Sequence, residues 1–161
     1  MSLPIAAYLL TLGLASPFAG RLATTLGERR LLLVGFAIAA VSHLGMVFAD
    51  VVWQITLLRG LTGVGYAVAT VAGLEYLIER QPSADRMRAM TTFVVIVIGG
   101  TFAGTALGGI LADRLGYRPV FAVSVLLVAV AAVLAWRLLS GRQERPVMHA
   151  GTFALRDVGS V

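Results

Sequence analysis

The sequence predicts an all-α fold, a multi-pass bundle of transmembrane helices built on an inverted repeat, and three observations carry that prediction. The chain is 58% hydrophobic and 13% charged with a mean hydropathy of +0.89, more apolar surface than one water-facing globule of 161 residues can hide. Apolar runs close to the roughly 20 helical residues that cross a bilayer recur along it. One polar phrase also occurs twice, as "GRLATTLGER" at 20–29 and "GILADRLGYR" at 109–118, an offset of 89 residues.

The apolar runs fall at about 3–19, 31–49, 53–77, 90–112 and 119–138, which gives five spans. They are too long for strands of a membrane barrel and lack its period-2 alternation. The first run is the shortest, but no cation precedes it, whereas Arg21, Arg29 and Arg30 follow it. That charge order is the reverse of a secretory signal. Residues 1–140 are therefore read as the membrane domain. From Gly141 the periodicity is lost and Pro146 and Gly151 appear, so 141–161 is read as a disordered cytoplasmic tail.

Arginine placement predicts orientation. Arg21, Arg29, Arg30, Arg80, Arg86, Arg88, Arg137, Arg142, Arg145 and Arg156 fall on one side of the spans, while only Arg114 and Arg118 fall on the other. The positive-inside rule then puts the N-terminus outside and the tail in the cytoplasm, in a membrane expected to be the bacterial cytoplasmic one.

Between the two copies of the polar phrase the chain crosses the membrane three times, so the copies lie on opposite faces and the repeat is inverted. Gly20, Leu22, Ala23, Leu26, Gly27 and Arg29 align with Gly109, Leu111, Ala112, Leu115, Gly116 and Arg118. Inverted units of three helices are a construction of secondary transporters. Runs 53–77, 90–112 and 119–138 make one complete triplet. Runs 3–19 and 31–49 are the second and third helices of another, whose first helix would precede Met1.

The net charge of +5 comes entirely from arginines spread between apolar runs, with no basic face of interleaved aromatics, so nucleic acid is not an expected partner. The chain has no Cys and no Lys, which excludes disulfides, thiolate metal sites, Schiff bases and a phosphate-binding P-loop. No Ser/His/Asp pattern or cluster of metal ligands occurs. No enzymatic activity, cofactor or metal is expected.

One charge stands inside a span. An arginine near a helix centre costs about 2.5–3.5 kcal/mol on insertion scales. The Val, Leu and Ile residues around Arg59 offset this at about 0.3–0.6 kcal/mol each. At 100° per residue, Arg59, Thr62, Gly63, Tyr66, Thr70 and Gly73 share one face, a polar stripe in hydrocarbon. Two readings stay open. The stripe borders a solute path, with Arg59 meeting an anionic group, or Arg59 snorkels outward and the hydroxyls bond to backbone. Gly100, Gly104 and Gly108 recur every four residues and bare one helix face for close packing or sliding. Glu75 is expected to pair with a loop arginine such as Arg29 or Arg88, and His43 to make an interhelical hydrogen bond rather than to relay protons.

These segments resemble the major facilitator superfamily. Its loop between second and third helices reads G-x-L-A-D-R-x-G-R-[KR]-x-x-L, and Gly20, Leu22, Ala23, Gly27, Arg29 and Leu32 match at the same spacing. Thr24, Thr25 and Glu28 replace the Asp, Arg and first Arg of the second cluster. The resemblance implies that this segment gates transport, and that Thr24 cannot supply the carboxylate of the family's interhelical charge network. "RGLTGVGYA" at 59–67 is similar to the fourth-helix pattern R-x-x-x-G-x-G through Arg59, Gly63 and Gly65. "GGTFAGTALGG" at 99–109 is similar to a fifth-helix glycine pattern ending in Gly108 and Gly109, with Thr105 in place of Pro. "GYRPVF" at 116–121 resembles the turn before the sixth helix.

The resemblance implies part of a secondary transporter that moves a small solute by alternating access. Its partners would be the bilayer, the solute, the first helix and the other half of the transporter. A C-terminal half is favoured because it needs truncation only at its start. The reading from another class is a non-transporting membrane anchor or sensory module.

Overall fold

A computed structural model describes residues 3–140 as five α-helices: α1 Leu3–Leu26, α2 Glu28–Val47, α3 Val52–Glu79, α4 Arg86–Leu115 and α5 Tyr117–Ser140. Each is long and apolar enough to cross a membrane. The all-α bundle expected from the sequence is therefore what forms. The tail expected at 141–161 lies outside the described residues.

The helices run past the apolar limits read from sequence. Residues 20–26 and 113–115, read as loops, are the last turns of α1 and α4. They stay helical because polar residues beyond the hydrocarbon still satisfy their backbone within the helix. Thr24 Oγ1 donates to the Arg21 carbonyl at 2.7 Å and Thr25 Oγ1 to the Leu22 carbonyl at 3.0 Å. Single glycines, Gly27 and Gly116, make the breaks. The 30 residues of α4 span about 45 Å at 1.5 Å each, more than the roughly 30 Å hydrocarbon core, so its ends project or the helix tilts.

Helix α3 is the centre. Its buried positions are Gly60, Thr62, Gly63, Gly65, Ala67, Val68 and Ala72, small residues that let two neighbours reach its backbone. Helix α1 lies parallel to it, with Thr11 at Gly60 and Gly20 beside Glu75. Helix α2 lies antiparallel, with Gly35 against Gly65 and Ala69, and Gly45 against Leu58. The buried apolar cluster Ala19, Ala23, Leu31, Val68 and Ala72 joins all three, flanked by Leu32, Val64 and Val71. Helix α5 packs antiparallel on α2, where Tyr117 meets Ala49 and Phe121 meets His43. Helix α4 buries no residue and touches α3 where Phe93 covers Gly73.

Chain direction alternates from helix to helix, so Gly27 and Gly116 sit at opposite ends of the bundle. Each break is followed by an ion pair to a neighbouring turn. Glu28, directly after Gly27, accepts from Arg80 at 3.2 Å, and Arg118, two residues after Gly116, pairs with Asp50.

Candidate functional site

The polar stripe of α3 does not face one neighbour. Arg59 turns toward α5, its guanidinium carbon 5.4 Å from the centroid of the Phe121 ring. Gly60 and Gly63 turn toward α1, where Thr11 Oγ1 donates to the Gly60 carbonyl at 2.8 Å. A Cβ added at Gly63 would lie 2.5 Å from the Tyr8 carbonyl oxygen. Tyr66 also faces α1, its ring centroid 6.3 Å from that of Tyr8 at an angle of 56°. Gly73 faces Phe93 of α4.

The threonines of the stripe are satisfied within their own helix. Buried Thr62 donates to the Leu58 carbonyl at 2.9 Å, and Thr70 donates to the Tyr66 carbonyl at 2.7 Å. Such back-bonding lets a hydroxyl sit in an apolar environment without a ligand. Arg59 and Tyr66 instead reach other helices, Arg59 meeting Phe121 of α5, whose ring also meets His43 of α2, and Tyr66 meeting Tyr8 of α1. The ion pairs between described residues are Arg80–Glu28 and Arg118–Asp50, so no carboxylate among them pairs with Arg59.

Two expectations are corrected. His43 does not bond across helices: its Nδ1 donates to the Ala39 carbonyl one turn back at 2.7 Å, and Ser42 donates to the Ile38 carbonyl at 2.7 Å. The carbonyl four residues back in the same helix is an acceptor close at hand, and both side chains use it. Glu75 is in neither ion pair of the described residues. It lies against Gly20, where an added Cβ would be 3.8 Å from its Oε1.

The residues read as a gating loop form a helix end and a corner. Gly20 is half-buried beside Glu75, Leu22 is exposed and Ala23 is buried in the α1–α2–α3 cluster. Gly27 is the corner, and Arg29 lies half-buried in the first turn of α2. Next to them Arg80 stacks over its own Tyr76 ring at 3.6 Å while holding Glu28. Glu28 thus has a role that an arginine at that position could not fill. As an acidic residue in the first turn of α2 it also faces the positive end of the helix dipole.

The packing glycines divide into two groups. Gly63 and Gly65 are closed in, with a Cβ at Gly65 meeting the Ala39 nitrogen and the Gly35 oxygen at 2.9 Å each. Gly100, Gly104, Gly108 and Gly109 have nothing within 4 Å of an added Cβ. Their close packing is not made among the described residues. An apolar cleft of 370 Å³ lies between α2 and α3, lined by Gly45, Phe48, Ala49, Trp53, Gln54, Leu57 and Leu58. None of the stripe residues lines it.

Among the described residues no group of three or more His, Asp or Glu side chains is placed to hold a metal. Sequence reasoning passed over Tyr8 and Phe121. Phe121 stood inside the quoted "GYRPVF" and Tyr8 interrupts the first apolar run, but an aromatic in a greasy segment signals nothing until its neighbour is known.

Alternating apolar helices, small-residue seams and an inverted pair of glycine corners define a polytopic membrane protein. The sequence pattern of the Major Facilitator Superfamily matches residues 1–156, and the chain belongs to that family. It is 33% identical over 150 residues to the multidrug resistance protein MdtG of Dickeya zeae (strain Ech586), covering 90% of this chain and 35% of the relative. It is 30% identical over 131 residues to the multidrug resistance protein Stp of Mycobacterium tuberculosis (strain CDC 1551 / Oshkosh), covering 81% and 24%. It is 27% identical over 139 residues to the putative multidrug resistance protein MdtD of Salmonella paratyphi B (strain ATCC BAA-1250 / SPB7), covering 86% and 30%. The chain thus spans a quarter to a third of the length of these relatives.

Proposed function

We propose that this chain forms part of a secondary active transporter that moves a small solute across the membrane by alternating access. The inverted pair of corners carries the reading. Two units of opposite orientation around one central helix let a bundle rock about a fixed midplane site with either face open in turn. The similarity to multidrug resistance proteins favours an amphipathic, drug-like solute. Arg59 and Tyr66 would border its path, while Thr62 and Thr70 hold the helix. Gly20, Leu22, Ala23, Gly27 and Arg29 would form the corner that resists rocking on the cytoplasmic face. The exposed face of α4, with Gly100, Gly104, Gly108 and Gly109, would receive a helix from the remainder of the transporter.

On this reading the 161 residues do not move solute alone, since they correspond to about a third of the MdtG relative. The test is efflux of a fluorescent amphipathic cation from proteoliposomes. The chain alone should be silent, and co-reconstitution with a polypeptide supplying the remaining two-thirds should give flux. Flux from the purified chain by itself sinks the partial-transporter reading. No flux from the complemented assembly, with correct insertion verified, sinks the transporter reading itself.

A further inference from the structure

Phe121 is the point where α2, α3 and α5 meet, and the proposed transport cycle assigns it nothing. The Arg59 guanidinium carbon is 5.4 Å from its ring centroid, inside the roughly 6 Å within which a cation is attracted by the negative face of an aromatic ring. The ring is held from two sides. His43 approaches at 6.3 Å and 52°, and Tyr117 at 6.5 Å and 66°, both in the range of favourable tilted and edge contacts. Tyr117 is anchored in turn, its hydroxyl donating to the Ala49 carbonyl at 3.4 Å, and the adjacent Arg118 pairs with Asp50. The first turn of α5 is therefore fastened to the turn between α2 and α3, and Phe121 sits one turn inside that fastening.

A half-buried cation within a span needs a partner of negative potential, and no carboxylate of the described residues pairs with Arg59. The face of the Phe121 ring supplies that potential.

We propose that Phe121 is a positioning residue for Arg59: its ring, fixed by His43 and Tyr117, holds the guanidinium at the α2–α3–α5 junction by a cation–π contact, so that displacement of α5 against α2 moves the charge. The assignment rests on the reading that Arg59 borders the solute path only for its importance to transport; the contact itself stands apart from it. A ring that merely filled space would act through shape, whereas a cation–π partner acts through the electron density of its face.

The test replaces Phe121 with mono-, di- and trifluorophenylalanine, which keep the shape and weaken the ring face step by step. Thermal unfolding of the purified chain in detergent is measured in the Arg59 background and with Arg59→Met. We expect the midpoint to fall with each fluorine when Arg59 is present and to stay level when it is Met. Equal responses in the two backgrounds overturn the proposal. A second reading uses the Nε–Hε resonance of Arg59 in chain labelled with ¹⁵N-arginine. It should carry a ring-current shift that Phe121→Leu abolishes and Phe121→Tyr retains, and an unchanged resonance in Phe121→Leu overturns the contact. Neither measurement involves solute, so a failure here and a failure of the transport reading are told apart.

Discussion

Gly27 and Gly116, separated by 116 − 27 = 89 residues, hold the same backbone conformation at opposite ends of the bundle. Their φ angles are 83° and 81°, with ψ at 140° and 170°. Each N–H donates to an alanine carbonyl four residues back, Gly27 to Ala23 at 3.1 Å and Gly116 to Ala112 at 2.9 Å. Each then releases the chain into a new helix without an intervening loop. The repeated phrase is thus a repeated corner, and the glycine is the part of it that no other residue replaces without strain.

Gly27→Ala and Gly116→Ala should each cost about 1–3 kcal/mol, since a side chain in this positive-φ, extended-ψ region is strained whatever space surrounds it. Thermal unfolding in detergent measures this. Gly13→Ala is the control: it is helical and exposed, has nothing within 4 Å of an added Cβ, and should leave the midpoint level or raise it. If Gly27→Ala and Gly13→Ala behave alike, the corners are not strained.

The α3 seams give a second expectation. A Cβ at Gly63 would press on the Tyr8 carbonyl at 2.5 Å, and one at Gly35 on the Ala69 nitrogen at 2.7 Å. These are backbone atoms, so helices must separate, at about 1–3 kcal/mol for overpacking. Gly104→Ala meets nothing within 4 Å and should be tolerated by the chain alone. Unfolding midpoints of Gly63→Ala, Gly35→Ala and Gly104→Ala separate the cases, and equal midpoints would contradict the seam.

Much of this was legible in the sequence because hydrocarbon thickness sets helix length. Five apolar runs gave five helices, and Arg59 announced itself as a charge where charge is expensive. The corners were not legible in detail. Polar residues such as Thr24 and Thr25 look like loop in a greasy chain, yet α1 runs through them and their hydroxyls back-bond to carbonyls of the same helix. The site was legible only by half. Periodicity put Arg59 and Tyr66 on one face, but it could not say that α5 delivers Phe121 to one and α1 delivers Tyr8 to the other. That follows from packing. The glycines of α4 suggested a close neighbour, and among the described residues nothing comes within 4 Å of a Cβ added at Gly100, Gly104 or Gly108.

The two ion pairs should contribute unequally. Arg80 and Glu28 have side chains 31% and 14% exposed, whereas those of Arg118 and Asp50 are 54% and 75% exposed. Exposed pairs are worth about 0.2–1 kcal/mol and are screened by salt. A double-mutant cycle on Glu28→Gln and Arg80→Gln should therefore give a coupling near the upper end of that range, partly retained at high salt. The cycle on Asp50→Asn and Arg118→Gln should give almost none. A larger coupling at the Asp50 corner would reverse the ranking.

Orientation is the last expectation, and the corners make it testable on both faces at once. Of the described arginines, Arg21, Arg29, Arg30, Arg80, Arg86, Arg88 and Arg137 belong to the Gly27 end, and only Arg114 and Arg118 to the Gly116 end. Cytoplasmic ends retain arginine, so the Gly27 end should face the cytoplasm. The chain has no cysteine, which makes single introduced cysteines unambiguous reporters. Val51 and Ser83 are both exposed, the first at the turn before α3 and the second at the turn after it. A membrane-impermeant maleimide added to intact cells should label Val51→Cys at once and Ser83→Cys only after permeabilisation. Because α3 separates the two positions, one of them serves as the internal standard for the other. The opposite pattern inverts the topology and moves the Gly27 corner, with its Glu28–Arg80 tie, to the outer face.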